Sequence, residues 1–382
     1  MAAKATICIP TYGKKVRNQL IVARTLESIS KLNNEDLAGI RVILFNTTHP
    51  YDEHTGFRIN RLIEKYKHFF DIAQITSLDL DYLNSFLASK KLNLLAPHIS
   101  FKGYSNMRNA MLVVSNILDS KTVIMIDDDE IITDKGFIRT ALEFIAEKGK
   151  KKIIYGKTGY YLYENGPYLI QQSPKTRKLW LKETYINQTL EKYITSKARL
   201  SKTTIAFGGI LVLHNRLYRK IPFDPYIPRG EDTDYVINAR QFNFNFVFDN
   251  HLKILHKPPK KHIKYYEKLR QDIFRFIYTR EKLKYFNRID IKSLEPYPAA
   301  FLKDDIEYRA VATAVRYATR SLKNNRQNDF KEYFNNVKIA FTDAKINAMA
   351  NAPKYFEFQK NWENLMRSIS KFKSLKRHFN RF

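Results

Sequence analysis

The 382-residue chain is 44% hydrophobic and 14% aromatic, enough to bury one large core or two smaller ones, and this excludes a disordered tail or a low-complexity protein. Its 66 Lys and Arg against 38 Asp and Glu give a formal charge of +28, which favours anionic partners: nucleotide diphosphates, anionic lipid headgroups or nucleic acid. The single cysteine, Cys8, excludes an intramolecular disulfide and a cysteine-based metal site.

In chain order, "ATICIP", "RVILFN", "FDIAQITSL", "TVIMID", "KKIIYGK", "GGILVLH" and "FNFVFDN" read as strands. Between them, "QLIVARTLESISKL" and "YSNMRNAMLVVSNIL" carry apolar residues at three- and four-residue spacing, as helices packed on a sheet do. Such alternation predicts an α/β fold with a mostly parallel central sheet flanked by helices. Residues 160 to 205, rich in Tyr and Lys with poor periodicity, read as a loop or small insertion near a site. At Pro258 and Pro259 the strand-like runs stop, so residues 1–262 are expected to form one domain and residues 263–382 a helical region, basic and rich in aromatics. Residues 251–382 hold 30 Lys and Arg against 13 Asp and Glu, so the basic excess is concentrated there. The first apolar run is too short for a signal peptide, and no segment reaches the ~18 apolar residues of a membrane helix. The expectation is a cytoplasmic protein, one able to lie on the inner face of a membrane.

Two acidic groups stand out against this basic background. In "VIMIDDDE" an apolar strand runs straight into Asp127, Asp128, Asp129 and Glu130. Ligands of open α/β sheets bind beyond the carboxyl ends of strands, and crowded carboxylates there repel one another unless a cation sits among them. Oxygen ligands suit Mg2+ or Mn2+; an Asp-rich turn or helix cap explains the same residues without a metal. The second group, Glu231, Asp232 and Asp234 in "PRGEDTDY", opens a helical run, where acids serve either as a general base or as ordinary helix N-terminal charge.

The segments "ATICIPTYGK", "GYSNMRNAML", "VIMIDDDE" and "GGILVLHNRLYRKIPFDPYIPRGEDTDYVINAR", in that order, resemble the nucleotide-sugar-dependent glycosyltransferases of the GT-A fold, in particular the family-2 type, over residues 5 to 260. The resemblance implies a Rossmann-like GT-A domain, a nucleoside-diphosphate sugar as donor, Mn2+ or Mg2+ as cofactor, and the hydroxyl of a glycan, glycolipid or small molecule as acceptor. It places Pro10, Thr11 and Tyr12 near the base or ribose and Arg108 on the diphosphate or the pocket acids, with Asn109 a lesser candidate. It makes Asp129 the direct metal ligand, with Asp127 on the ribose or metal-bound water. Asp128 counts with the nucleotide-binding set, although alternation along an extended segment would turn it and Glu130 to the other side. Asp232 becomes the general base of an inverting transfer, Glu231 an acceptor ligand, and Asp234 with Arg240 a structural pair. Of the two histidines after the last strand, His251 and His256, the second follows the apolar run expected of a metal ligand and tilts the choice toward Mn2+. The sequence departs from the family after the second strand, where "LFNTTHP" offers Asn46 in place of the usual acids, and after Tyr12, where Gly13 replaces the usual Asn.

In the last third, "YYEKLRQDIFRFIYTREKLKYF" and "SISKFKSLKRHFNRF" mix cations and aromatics at near-helical spacing. They read as a helical cap packed on the catalytic domain or forming a homo-oligomer, or as an amphipathic surface on anionic lipid. A reading from another class, a metal-dependent nucleic-acid enzyme using "DDDE" and the basic region, leaves the ordered N-terminal, "RNA" and "GED" segments unexplained.

Overall fold

The computed structural model describes residues 4–12, 16–147, 152–164, 168–170, 179–259 and 263–380, with residues 16–19 described by backbone alone. Gly13 and the domain boundary expected at residue 262 lie outside these residues.

Nine strands form one sheet among the described residues: β1 Ala5–Thr11, β2 Ile40–Asn46, β3 Asp71–Ile75, β4 Thr122–Met125, β5 Glu130–Ile131, β6 Ile154–Leu162, β7 Leu200–Lys202, β8 Leu211–His214 and β9 Asn245–His256. Their order is β3-β2-β1-β4-β8-β6-β9-β5, with β7 also pairing with β9, at Val247–Asp249. The first four are parallel neighbours; β8 then enters antiparallel between β4 and β6. Strand alternation sorts the core onto two faces. Cys8, Val123, Met125, Leu211 and Leu213 face the helices Ser77–Ser89 and Tyr104–Ile117. Ile7, Ile9, Ile124, Ile126 and Val212 face the helices Val16–Ser30 and Glu53–Glu64.

Several boundaries differ from the sequence pattern for identifiable reasons. The third strand stops at Ile75 because Asp79 accepts from both the backbone N–H (2.9 Å) and the hydroxyl (2.8 Å) of Thr76, which starts a helix. The stretch 160–205 is not all loop: it holds the end of β6, the helix Lys182–Ile194 and β7. Leu190 and Tyr193 bury this helix against Phe248 of β9, a contact that its weak periodicity hid.

The C-terminal helices share the core of the sheet domain. Tyr355, Phe358, Trp362 and Leu365 of the helix Asp343–Ile369 join the cluster beneath β4 and β8, and Trp362 Nε1 donates to Tyr218 O at 2.9 Å. The basic end docks as well, with Leu375 and Phe379 buried and His378 stacked on Tyr82 at 3.9 Å. The aromatic stripes are therefore packing surface, with most Lys and Arg outside. No helix among the described residues is long and apolar enough to cross a membrane.

Candidate functional site

The site lies where β1, β2 and β4 release their chains, on the side of the sheet edge that open α/β folds use for ligands. Register sets its first wall: Thr11 of β1 pairs with Asn46 of β2, and Cys8 pairs with Met125 of β4. Pro10, Thr11 and Tyr12 consequently emerge beside Asp127 and Asp128. Thr11 and Asn46 are buried, Pro10 is half-buried, and the Tyr12 ring is 42% exposed. Asn46 Oδ1 accepts from Thr48 N at 3.2 Å, whereas its Nδ2 is buried with no hydrogen-bond partner.

Beyond β4 the acids fan out. Asp128 turns toward β1, where the Tyr12 N–H meets it and the Thr11 hydroxyl lies buried without a hydrogen-bond partner, yet burial and then the charges of Asp129 and Asp127 push its carboxyl up to about 7. Glu130 is fully buried; its Oε2 accepts from Asp127 N at 3.0 Å and its Oε1 has no hydrogen-bond partner. Burial, and next the charge of Asp127, hold Glu130 well above the usual carboxylate range. β5 pairs Glu130 with His256 of β9. His256 Nδ1 is buried without a hydrogen bond, 3.7 Å from Asp129 Oδ1 and 3.8 Å from Glu130 Oε1. Its ring stacks on Tyr161 at 4.5 Å, and burial keeps its pKa low, so the imidazole is neutral and able to ligate. His251 sits exposed farther back on β9, away from this cluster.

Arg108 joins the two acidic motifs. It projects from the helix Tyr104–Ile117 and is buried, not exposed: Nε donates to Glu231 at 3.2 Å, Nη1 to Gly208 O at 2.9 Å, and Nη2 reaches Asp127 at 3.4 Å. Burial works against its charge, but Asp127, Glu231 and Asp232 together hold it above its ordinary range. Its neighbour Asn109 is engaged elsewhere, with both amide atoms on the backbone of Phe223 at 2.9 Å.

Glu231, Asp232 and Asp234 begin the helix Glu231–Gln241. Asp232 Oδ2 accepts from Gly208 N at 3.2 Å and Oδ1 from Thr233 N at 2.6 Å. Burial, followed by the charge of Glu231, raises its pKa to about 6 against the opposing pull of Arg275 and Arg108. Asp234 faces away from the cleft and pairs with Lys282 at 2.6 Å, while Arg240 bonds Ser293 instead. The structural role expected of Asp234 thus comes with a different partner, supplied by the C-terminal helices.

Arg108, Asp127, Glu231, Asp232 and His256 line one cleft of ≈ 500 Å³. Sequence reasoning missed the buried frame around it. A Cβ on Gly208 would stand 2.1 Å from Arg108 Nη2, and one on Gly209 1.9 Å from Glu130 Oε1, so the glycine pair lets two charged side chains press on the backbone. Tyr161 also escaped notice, although its hydroxyl accepts from Gly209 N at 3.0 Å. The paired glycines opening "GGILVLH" were the available signal.

No group of three His, Cys, Asp or Glu among the described residues could hold a metal by itself. Asp129 and His256 still fit one ion. Two ligands each about 2.1 Å from a metal stand roughly 3–4 Å apart, and such ions commonly complete their shells with substrate phosphates and water.

No protein-family model and no curated protein matches the chain. Among solved structures, the mannosyltransferase PcManGT from Pyrobaculum calidifontis, in complex with GDP-Man and Mn2+, superposes with a TM-score of 0.52 at 11% identity, covering 92% of this chain and 88% of that one. A mycobacterial protein superposes with a TM-score of 0.37 at 10% identity over 68% of each chain, too loosely to bear on the site. The first likeness gives this chain a glycosyltransferase fold.

Proposed function

On this glycosyltransferase fold, we propose that the chain transfers a sugar from a nucleoside-diphosphate sugar to an acceptor hydroxyl, with a divalent metal and with inversion at the anomeric carbon. The observation that carries the proposal is the buried Arg108, which draws Asp127 of the first acidic motif and Glu231 of the second into a single cleft. Pro10, Thr11, Tyr12 and Asn46 form the nucleoside wall, with the unpartnered Asn46 Nδ2 as a donor for the base. Asp129 and His256 would hold the metal, and Asp127 and Asp128 would take the ribose and the water around it. When bound, the metal supplies positive charge against the diphosphate as the leaving group gains charge.

Asp232 removes the proton from the acceptor hydroxyl. That oxygen forms a bond to the anomeric carbon as the bond to the diphosphate oxygen breaks, and the nucleoside diphosphate leaves with the electron pair. Its raised pKa suits it to accept a proton near neutrality. Glu231, clamped by Arg108, holds the acceptor side of the cleft. The mannosyltransferase's donor, GDP-mannose, is the first nucleotide sugar to test, followed by UDP-sugars. The test is release of free nucleoside diphosphate with Mn2+, measured across donors with the intact chain and with Asp232→Asn. Metal-dependent release from one donor class, abolished in the variant, supports the proposal; no release from any donor argues against it.

A further inference from the structure

We infer that the acceptor is an anionic oligosaccharide, one carrying carboxylate or phosphate groups, laid along a groove from Asp232 into the C-terminal helices. The inference rests on the glycosyltransferase reading above and adds the acceptor's chemical class.

Its anchor is Arg275. This side chain lines the same cleft as Asp232, is only 8% exposed, and has no hydrogen bond or ion pair among the described residues. Every nearby carboxylate is committed elsewhere. Asp272 accepts from Lys182 at 2.6 Å and from Trp180 Nε1 at 3.2 Å, Glu231 is held by Arg108, and both Asp232 oxygens take backbone N–H groups. The chain also makes room for the guanidinium. Gly230 caps the Asp232 helix with φ +76, and a Cβ there would stand 2.0 Å from Arg275 Cζ. Asp232, Asp272 and Glu231 balance its charge only without contact, and the rings of Phe276 and Tyr297 lie 5.1 and 5.8 Å from it. The guanidinium N–H groups are left without an acceptor, and a ligand anion in the cleft would complete them.

The donor diphosphate is the competing anion in this cleft, and the variants below separate the two. Arg275 stands on the acceptor side, packed against Gly230 at the start of the helix that carries Asp232. Arg275 lies on the helix Tyr265–Tyr285, whose earlier turns line a second cavity of ≈ 740 Å³. The two cavities share Ile170, Lys182, Glu183 and Lys268, so one groove runs from the proposed base into the helical region. Each part alone has the size of a small-molecule site, and together they exceed what a single sugar acceptor needs.

The second cavity has the chemistry of a sugar-chain site. The half-buried rings of Tyr265, Tyr266 and Tyr317 line it, backed by the core residues Trp180 and Tyr333, with Tyr317 and Tyr333 stacked at 5.4 Å. Flat rings with polar edges match the apolar faces and hydroxyl rims of pyranoses. Around them, Lys268, Arg320 and Arg326 have no ion-pair partner among the described residues, against the one unpaired carboxylate of Glu183. The charge left over selects anions.

The test is equilibrium binding of a ladder of glucuronate-containing oligosaccharides and of phosphorylated oligosaccharides. Neutral oligosaccharides of equal length and vesicles containing anionic phospholipid serve as controls. The variants are Arg275→Gln, Arg275→Lys and Lys268→Ala, the last exposed and safe for the fold, with melting temperature and Mn2+-dependent nucleotide binding measured on each. The expected result is tighter binding of an anionic series than its neutral match, strengthening with length and weakening with salt. Arg275→Gln should lower that affinity at least tenfold and Lys268→Ala should lower it severalfold, with nucleotide binding unchanged. Equal binding of neutral and anionic chains overturns the inference, as does binding of the vesicles alone. Loss of nucleotide rather than oligosaccharide binding in Arg275→Lys would assign the arginine to the donor and also overturn it. If acidic chains bind through Arg275 while no nucleotide sugar binds, the groove stands and the transferase reading falls.

Discussion

The ammonium of Lys282, on the helix Tyr265–Tyr285, lies 2.6 Å from Asp234 on the helix that carries Asp232, with both side chains buried. The same ammonium meets Asp224 at 2.7 Å, and Tyr278 donates to that aspartate at 2.7 Å. The basic C-terminal region is thereby fastened to the back of the candidate catalytic helix. Lys282→Met leaves two buried carboxylates without their cation and should cost about 3–5 kcal/mol. Lys284→Ala, which removes an exposed pair with Asp304, should cost under about 1 kcal/mol. Denaturant unfolding of both variants checks this, and equal losses would show that the buried pair has no special part.

Gly208 and Gly209 are expected to tolerate no side chain. Gly209→Ala drives a methyl into the fixed carboxylate of Glu130, and Gly208→Ala displaces Arg108 from its three partners. Misplacing groups by an ångström lowers rates by about 100-fold. Kinetics beside melting curves separate this from unfolding, because the expected variants lose kcat/KM while remaining folded.

Arg108→Lys is not a conservative change. The guanidinium serves Glu231, Gly208 O and Asp127 at once, and an ammonium on a flexible stem cannot span all three. Weaker binding of nucleotide with metal is expected, together with a stability loss of about 1–3 kcal/mol from the acceptor groups left buried. Calorimetric titration and unfolding curves read the two effects separately.

Asp232 sets the expected pH profile. Burial raises its pKa to about 6, and a base must be ionised, so kcat/KM should rise with pH through this value and level off above it. For stability the sign is opposite: the folded chain binds this proton more tightly than the unfolded one. The contribution is present below the ordinary carboxylate range and lost as pH rises through about 6. Asp232→Asn should therefore abolish turnover and raise the melting temperature more at pH 8 than at pH 4.5. A profile flat from pH 5 to 8 would remove Asp232 as the base.

The α/β framework was legible because β1, β2 and β4 are runs of β-branched and apolar residues bounded by turns, and the parallel half of the sheet follows from them. The acids of "VIMIDDDE" and "PRGEDTDY" could be singled out because charge at the end of an apolar strand or at a helix start is a local pattern. What escaped was long-range. Nothing in the spacing of Asp234 points to Lys282, and nothing around Arg275 announces a buried guanidinium without a hydrogen-bond acceptor. The helix Lys182–Ile194 was hidden because its stripe packs on aromatic residues and mixes Tyr and Asn with Leu. The reversal at β8 was likewise invisible, since an antiparallel strand buried on both faces reads like a parallel one.

The most direct test is thermal stabilisation by GDP-mannose and UDP-sugars, each with and without Mn2+, on the intact chain and on Asp129→Ala. A donor at 100 times its Kd should stabilise the fold by about 2.7 kcal/mol. For a metal-dependent glycosyltransferase, one donor class stabilises the intact chain only when Mn2+ is present, and Asp129→Ala loses the effect. Stabilisation by no nucleotide sugar, or stabilisation that survives in Asp129→Ala and without metal, would contradict it.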